Sequence, residues 1–412
     1  MAIIFGLKMP VFYLMLIGKN FSLASIGILA AATTVSALIF EVPFGSLADK
    51  LGRKKVFILG ELITVFAAFG FWLLQAFEWI FVVMILNGLS KALVSGSLDA
   101  LFVEQFNKVT TDSERSQYVK YQSIILSYSA IGLGISTILA GFIPLWFQSV
   151  SENTSYINFY DMNFIIMGVL TIFHIGLTYF VIEESVIIQK HTEKEQKRGV
   201  FNKMKDFIGK AFSSIKNTPI LLLLFLLQFI FGATFMSLDN FWQPKLALLV
   251  DISSDIWLFG LLSSLSFFTM AIGQRLSSKV LQRFSYNYKW MLLSVQLLMG
   301  ISFICLAMIG QVYLFFLFYM MMLLCSGLSM APILAIFHEN VKEEQRSTML
   351  SVRSLFNQLG ATLGALLGGF IAAKFGIEWA WTFIAYILVF SVIIYLFPAM
   401  EKTTQILHNK NS

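Results

Sequence analysis

Long apolar runs separated by short charged turns occupy the chain from Met1 to Met400. An α-helix rises about 1.5 Å per residue, so roughly 20 apolar residues cross a bilayer core of about 30 Å. Twelve runs fit that length: 1–18, 22–44, 55–76, 79–103, 120–147, 163–182, 219–242, 255–275, 289–309, 311–335, 349–373 and 379–398. The first is short because the chain begins almost inside it. The runs are continuous rather than alternating in segments of about ten residues, which argues against a membrane β-barrel. The pattern predicts an all-α membrane protein with twelve transmembrane helices.

The one long polar stretch, residues 183–218, divides the spans six and six. The domains expected are therefore an N-terminal bundle (1–182), a linker (183–218), a C-terminal bundle (219–400) and a tail (401–412). Within the linker, Phe201, Met204, Phe207, Ile208, Phe212 and Ile215 recur at a helical period with lysines between them. This reads as an amphipathic helix on the inner leaflet, or as a solvated linker helix. The halves look like repeats. Gly45 maps to Gly273 and Gly141 to Gly369, both offset by 228, and Arg115 maps to Arg346, offset by 231. ERSQY…AGFI in span 5 parallels QRSTM…GGFI in span 11. Paired repeats around a midplane site are a transporter architecture.

Composition agrees. The chain is 58% hydrophobic and 13% charged, where a soluble domain carries about 25% charge. That excludes a cytosolic globular enzyme and a disordered protein. Charge also sets orientation. With the N-terminus in the cytoplasm, 24 of the 29 Lys and Arg fall in cytoplasmic segments, Arg353 among them. Only Lys19, Lys245 and Lys374 fall in external loops. The positive-inside rule fixes that topology, with both termini cytoplasmic. Cys305 and Cys325 lie in apolar runs and read as core residues. His174, His191, His338 and His408 form no metal-ligand spacing. No cleavable signal opens the chain, and the Asn153 sequon carries little weight.

The sharpest local signal is EVPFGSLADKLGRKK, Glu41 to Lys55. Gly45 and Gly52 permit a tight turn between helices. Asp49 can face the positive N-terminal end of another helix. Arg53 can pair with a carboxylate at the end of span 4, where Asp99 and Glu104 stand. The segment closely resembles the loop motif of the major facilitator superfamily, Gly-x-Leu-x-Asp-x-x-Gly-Arg-Lys, with Gly45, Leu47, Asp49, Gly52, Arg53 and Lys54 in place. Length, span number, the six-plus-six split and the repeat extend the resemblance over nearly the whole chain. It implies two pseudo-symmetric six-helix bundles in the major facilitator fold. It also implies that the loop contacts lock the cytoplasmic side when the protein opens outward. The second copy, GQRLSSKVLQRF, keeps Gly273, Arg275, Lys279 and Arg283 but lacks the acidic residue. The lock is therefore expected to be asymmetric.

Ionisable residues inside spans cost at least about 2.5–3.5 kcal/mol near mid-bilayer, so each is a functional candidate. Asn87, Lys91 and Ser95 recur every four residues of span 4 and share a face. The resemblance implies that spans 1, 4, 7 and 10 line the cavity. Lys91 is then a cavity residue, or one half of a structural pair with Glu41. Lys8 of span 1 is a second basic candidate. Glu41, Glu61, Asp99 and Asp239 are the acidic set, with Glu41 and Asp239 the proton-coupling candidates. Gln228, Gln296, Asn357 and Gln358 are polar in-span residues for substrate contact.

Gly132, Gly134, Gly141 and Pro144 in span 5 partly resemble the glycine-rich antiporter motif of the superfamily's drug exporters, without its Gly-Pro step. Gly360, Gly364 and Gly368 in span 11 give a smooth packing face. The resemblance implies a secondary active transporter, with proton-coupled efflux of small lipophilic or amphiphilic compounds as the first expectation. A carrier of an anionic metabolite is the alternative. The expected partners are lipid, a small-molecule substrate and protons. No nucleic acid and no cofactor are expected, and the chain is expected to act as a monomer. No nucleophile–base pair, metal spacing or phosphate loop points to an enzyme or an ATP-driven pump.

Overall fold

The computed structural model describes residues 1–95, 115–154, 158–182, 218–341, 345–398 and 400. Every regular element among them is helical: α1 Ala2–Gly6, α2 Phe12–Gly18, α3 Leu23–Leu51, α4 Arg53–Leu73, α5 Phe77–Val94, α6 Arg115–Trp146, α7 Gln148–Asn153 and α8 Asp161–Val181. The chain continues with α9 Pro219–Ala247, α10 Ile252–Asp255, α11 Trp257–Arg283, α12 Tyr288–Met308, α13 Val312–Glu339, α14 Arg346–Phe375 and α15 Ile377–Phe390, then a 3₁₀ turn, Ser391–Leu396. Among the described residues, eleven helices are long and apolar enough to cross a membrane. Large apolar side chains remain exposed on them, such as Phe66, Phe173, Leu367 and Phe390. Water would not tolerate such a surface, whereas lipid does.

The predicted first span departs from expectation. Residues 1–18 form two short helices, with a turn from Leu7 to Val11 between them. Pro10 is the reason: it has no N–H, and its ring clashes with the carbonyl four residues earlier. The turn runs on tighter bonds instead, Met9 N–H to the Gly6 carbonyl (3.3 Å) and Val11 N–H to the Lys8 carbonyl (3.2 Å). The loop motif also differs from its reading. Gly45 and Asp49 lie within α3, which runs on to Leu51. Gly52 alone makes the turn into α4, at φ 94°, a left-handed conformation open to glycine at little cost.

The described chain divides into two compact units. Unit 1 holds residues 1–21, the described part of 32–200, and 251–264. In it α4 packs antiparallel to α8, and α5 packs on α4. Buried Phe71 and Phe164 meet Phe12 in an aromatic cluster. Hydroxyls of Thr33 and Ser36 on α3 donate to the Met84 and Ile85 carbonyls of α5. Residues 251–264 join this unit through Gly260, which abuts Gly141 of α6.

Unit 2 holds residues 22–31, the described part of 201–250, and the described part of 265–412. Its tightest pairing is α9 with α14. Glycines allow that approach: a Cβ on Gly360 would lie 1.9 Å from the Phe229 carbonyl oxygen. Ala30 and Ala31 pack on Ala365 of the same helix. Trp381 is fully buried against Phe303 and Phe315, and its indole N–H donates to the Ser237 carbonyl (3.1 Å). Lys245, expected in an external loop, is buried at the end of α9 and pairs with Glu378 at 2.6 Å.

Candidate functional site

The break in the first span positions the site of unit 1. Leaving the helix strands the Leu7 carbonyl, since Val11 bonds to Lys8 instead. Asn163 of α8, fully buried, donates its amide N–H to that carbonyl and to the Ala140 carbonyl, both at 2.9 Å. Ala140 needs the donor because the residue four positions on, Pro144, has no N–H. One side chain thus satisfies two backbone acceptors stranded by two prolines, as the lipid interior demands.

Lys8 sits in the turn. Its ammonium donates to the Asn87 Oδ1 (3.3 Å) and lies over the Phe5 ring (5.1 Å). Beside it a cavity of about 250 Å³ opens within unit 1. Asn87, Lys91 and Ser95 of α5 line one wall, with Ser90 and Val94 between them. Glu61 and Thr64 of α4 line another, and Ile4, Phe5 and Met167 supply apolar surface. Thr64 and Ser90 share a hydrogen bond at 2.6 Å, tying α4 to α5 beneath the wall. Few polar groups on a mostly apolar lining is the usual make-up of a small-molecule site.

The expected Glu41–Lys91 pair does not form. Lys91 has no carboxylate within ion-pair distance among the described residues, and Glu41 is exposed on α3, nearly three turns before its end. The buried carboxylate at the cavity is Glu61, only 2% exposed. Its Oε2 lies 2.9 Å from Nδ1 of His174 on α8. His174 rests edge-on against Phe57 (6.0 Å).

Unit 2 gathers a second polar group. Arg353 Nε donates to the Gln228 Oε1 (2.9 Å), and the Asn357 amide reaches the Gln228 carbonyl (3.4 Å). The guanidinium also lies 6.0 Å from the Phe337 ring. Arg353, expected in a cytoplasmic segment, is half-buried on α14. The space beside it is only about 50 Å³ and is also lined by Gln296 and Tyr395. Gln296 donates to Ser391 at the start of the 3₁₀ turn (2.7 Å), and Gln358 turns to Ser354 (3.3 Å). Asp239 is exposed on α9.

Of the loop-motif residues, Arg53 opens α4. Lys54 donates to the Tyr179 carbonyl (2.8 Å) and to the Ile182 carbonyl. It thereby caps the C-terminal end of α8, where carbonyls lack intrahelical donors and a cation is favoured. Asp99 and Glu104, the expected partners of Arg53, lie outside the described residues, as does the linker helix 201–215.

Outside the spans, burial holds the Lys19 amine below its ordinary range, against the pull of Asp161. Lys19 donates to the Leu74 carbonyl and the Gln75 Oε1, each at 3.0 Å, and so ties the α2–α3 turn to the α4–α5 turn. Burial also pushes the neighbouring Tyr160 hydroxyl up to about 12.

A known family model matches the chain over residues 1–285 and again over 245–410. The chain belongs to the Major Facilitator Superfamily. It is therefore a membrane-embedded transporter of small molecules. It is 22% identical over 400 residues to the uncharacterized MFS-type transporter YxaM of Bacillus subtilis, spanning 95% of this chain and 91% of that one. Shorter likenesses reach two resistance proteins. Multidrug resistance protein 2 of B. subtilis is 32% identical over 148 residues, 35% of this chain and 36% of that one. Quinolone resistance protein NorA of Staphylococcus aureus is 26% identical over 136 residues, 33% and 34%. Among solved structures, the nucleoside transporter NupG superposes with a TM-score of 0.72 at 17% identity, covering 97% of this chain and 96% of that one. A bacterial homologue of the lysosomal transporter Spinster, inward-facing and occupied, gives 0.70 at 13%, covering 96% and 93%. These two speak for the fold alone.

The structure brings Asn87 and Lys91 together in unit 1 and Gln228 and Asn357 together in unit 2. It joins neither Glu41 nor Asp239 to these cavities among the described residues. Sequence reasoning missed His174, Asn163 and Arg353. The cost of polar groups within spans, applied to His and Asn as it was to Lys and Glu, would have found the first two.

Proposed function

We propose that this Major Facilitator protein exports small lipophilic or amphiphilic compounds across a bacterial inner membrane, driven by protons and working by alternating access as a monomer. The observation that carries this reading is the cavity of unit 1, with its apolar wall of Ile4, Phe5, Val94 and Met167 and its polar end of Lys8, Asn87 and Lys91. Such a lining suits a molecule with an apolar body and one polar end. The partial likeness to two resistance proteins supports the export direction. In the same reading both termini face the cytoplasm. Asp49, Arg53, Asp99 and Glu104 form the cytoplasmic lock, and Lys54 steadies it by capping α8.

The two lysines favour one second reading, a carrier for anionic metabolites, because two cations at a cavity end recruit an anion. A single experiment separates the two. The chain and a Lys91→Gln variant are expressed in a bacterium stripped of its own efflux pumps, and tolerance to a panel of antibiotics and dyes is scored with and without a proton uncoupler. Export predicts uncoupler-sensitive tolerance that the variant alters in pattern. Unchanged tolerance, with the protein confirmed in the membrane, overturns export. Uptake of labelled organic anions would then test the second reading.

A further inference from the structure

Among the described residues unit 1 buries two carboxylates, Glu61 and Asp161, and of these Glu61 lines the cavity. Glu61 lies near the middle of α4, its side chain 3% exposed, and shares a 2.9 Å contact with His174 near the middle of α8. Three pairings fix the register of these helices: Lys54 with Tyr179, Glu61 with His174, and Gly168 with Phe69. Glu61 also lines the cavity, so one face of the pair meets a histidine and the other meets the space assigned to cargo.

The surroundings decide what the pair can hold. From the turn after α1 comes the Lys8 ammonium. From α5 comes Lys91, with Glu78 at that helix's far end. From α8 comes His174, with Asp161 at the far end, bonded to Asn158. The near groups are cationic. A buried pair of this kind has two accessible states that differ by one proton.

We propose that Glu61 and His174 hold the proton exchanged during transport, and that cargo displaces it at Glu61. In the proton-loaded state a His174 imidazolium donates its Nδ1–H to the Glu61 carboxylate. When cargo enters, its own N–H or O–H donor takes the carboxylate, and the imidazolium gives one proton to water and becomes neutral imidazole. The cargo class is then an amphiphile with a hydrogen-bond donor for Glu61 and an acceptor or acidic group for Lys8 and Lys91. This deepens the export reading and rests on it. It moves the coupling role from Glu41 and Asp239 to residues that line or adjoin the cavity.

The test uses the full chain in proteoliposomes with the fluorescent quinolone norfloxacin, which carries an N–H donor and a carboxylate, as the probe. Wild type, Glu61→Gln, Glu61→Asp and His174→Gln are compared for movement driven by a pH gradient and for norfloxacin exchange without one. The expected result is that the ratio of driven to exchange transport falls at least tenfold in Glu61→Gln and His174→Gln, and is restored within about threefold in Glu61→Asp. The pH dependence of exchange should flatten in His174→Gln. Either variant driving uphill transport at the wild-type ratio overturns the proposal and leaves the export reading standing. Equal loss of both modes in folded protein assigns the pair a structural role and also overturns it. Wild type that moves no norfloxacin against a gradient overturns the export reading, and this proposal with it. Should Glu61→Gln not fold, His174→Gln decides alone.

Discussion

Asn163→Ala is the perturbation most directly set by the geometry. The wild-type amide satisfies two buried carbonyls, those of Leu7 and Ala140. Truncation leaves both without a donor. A stranded buried acceptor costs about 1–3 kcal/mol in soluble proteins, and polar contacts within membranes average nearer 0.6 kcal/mol. Taking about 1 kcal/mol for each carbonyl predicts a loss of about 2 kcal/mol. The two carbonyls are stranded for different reasons, and this makes the reasoning testable. Ala140 lacks a donor because Pro144 has no N–H, so Pro144→Ala returns one to it. In that background Asn163→Ala should cost only about 1 kcal/mol, for Leu7 alone, giving a coupling energy of about 1 kcal/mol between positions 144 and 163. Reversible unfolding of the four proteins in mixed lipid–SDS micelles measures the cycle. A penalty for Asn163→Ala that is the same in both backgrounds would refute the assignment of its amide to the Ala140 carbonyl. A penalty below about 0.5 kcal/mol in either would refute the capping role altogether.

Three further outcomes follow from packing and charge. Gly360→Ala should destabilise by more than about 2 kcal/mol because its Cβ meets backbone. Gly176→Ala, with nothing within 4 Å, should be neutral or stabilising by up to about 1 kcal/mol; both are read by the same unfolding assay. Glu378→Gln strands a buried ammonium, while Lys245→Met leaves a carboxylate that is 46% exposed. The first should therefore cost about 2–3 kcal/mol and the second less than about 1, and the reverse order would refute the burial argument. Lys54→Gln should weaken the end of α8 by about 1 kcal/mol, seen as faster hydrogen exchange confined to residues around 178–182.

The spans were legible because the signal is a sum over about twenty residues, and single exceptions do not erase it. That same averaging hid the break at Leu7–Val11. Hydropathy counts side chains, whereas the break turns on one missing backbone N–H at Pro10. The motif residues were legible as a set but not in their conformation. Gly45 and Asp49 read as a turn and are helical, since glycine permits a turn without requiring one, and only Gly52 takes a positive φ. His174 was set aside because histidine spacing along the chain reports metal ligands. Its partner is 113 residues away in sequence and is visible only once α4 and α8 are paired. Arg353 looked like a topology residue because it lies near a span end, yet an amide and an aromatic ring hold it inward. Hydropathy also gives no sign that residues 22–31 pack with unit 2, or that 251–264 pack with unit 1.

In each unit a cation beside a cavity is held by a side-chain amide: Lys8 by Asn87 and Arg353 by Gln228. What differs is the space beside it. In unit 2 the guanidinium fills its surroundings, leaving about 50 Å³; in unit 1 about 250 Å³ stays open beside the ammonium. The difference traces to the backbone. Arg353 projects from an unbroken helix, α14. Lys8 projects from a turn whose stranded carbonyl had to be supplied with a buried asparagine. A continuous first helix would need no such provision, and Asn163 could then be apolar at no cost to backbone hydrogen bonding in α1 and α2. Non-helical backbone at membrane depth is tolerated where it is buried in protein or lines a cavity, and here it does both. The break and its cap therefore belong to the site rather than to the fold. An Asn163 variant that remained folded would be expected to change how Lys8 meets cargo before it changed how the helices pack.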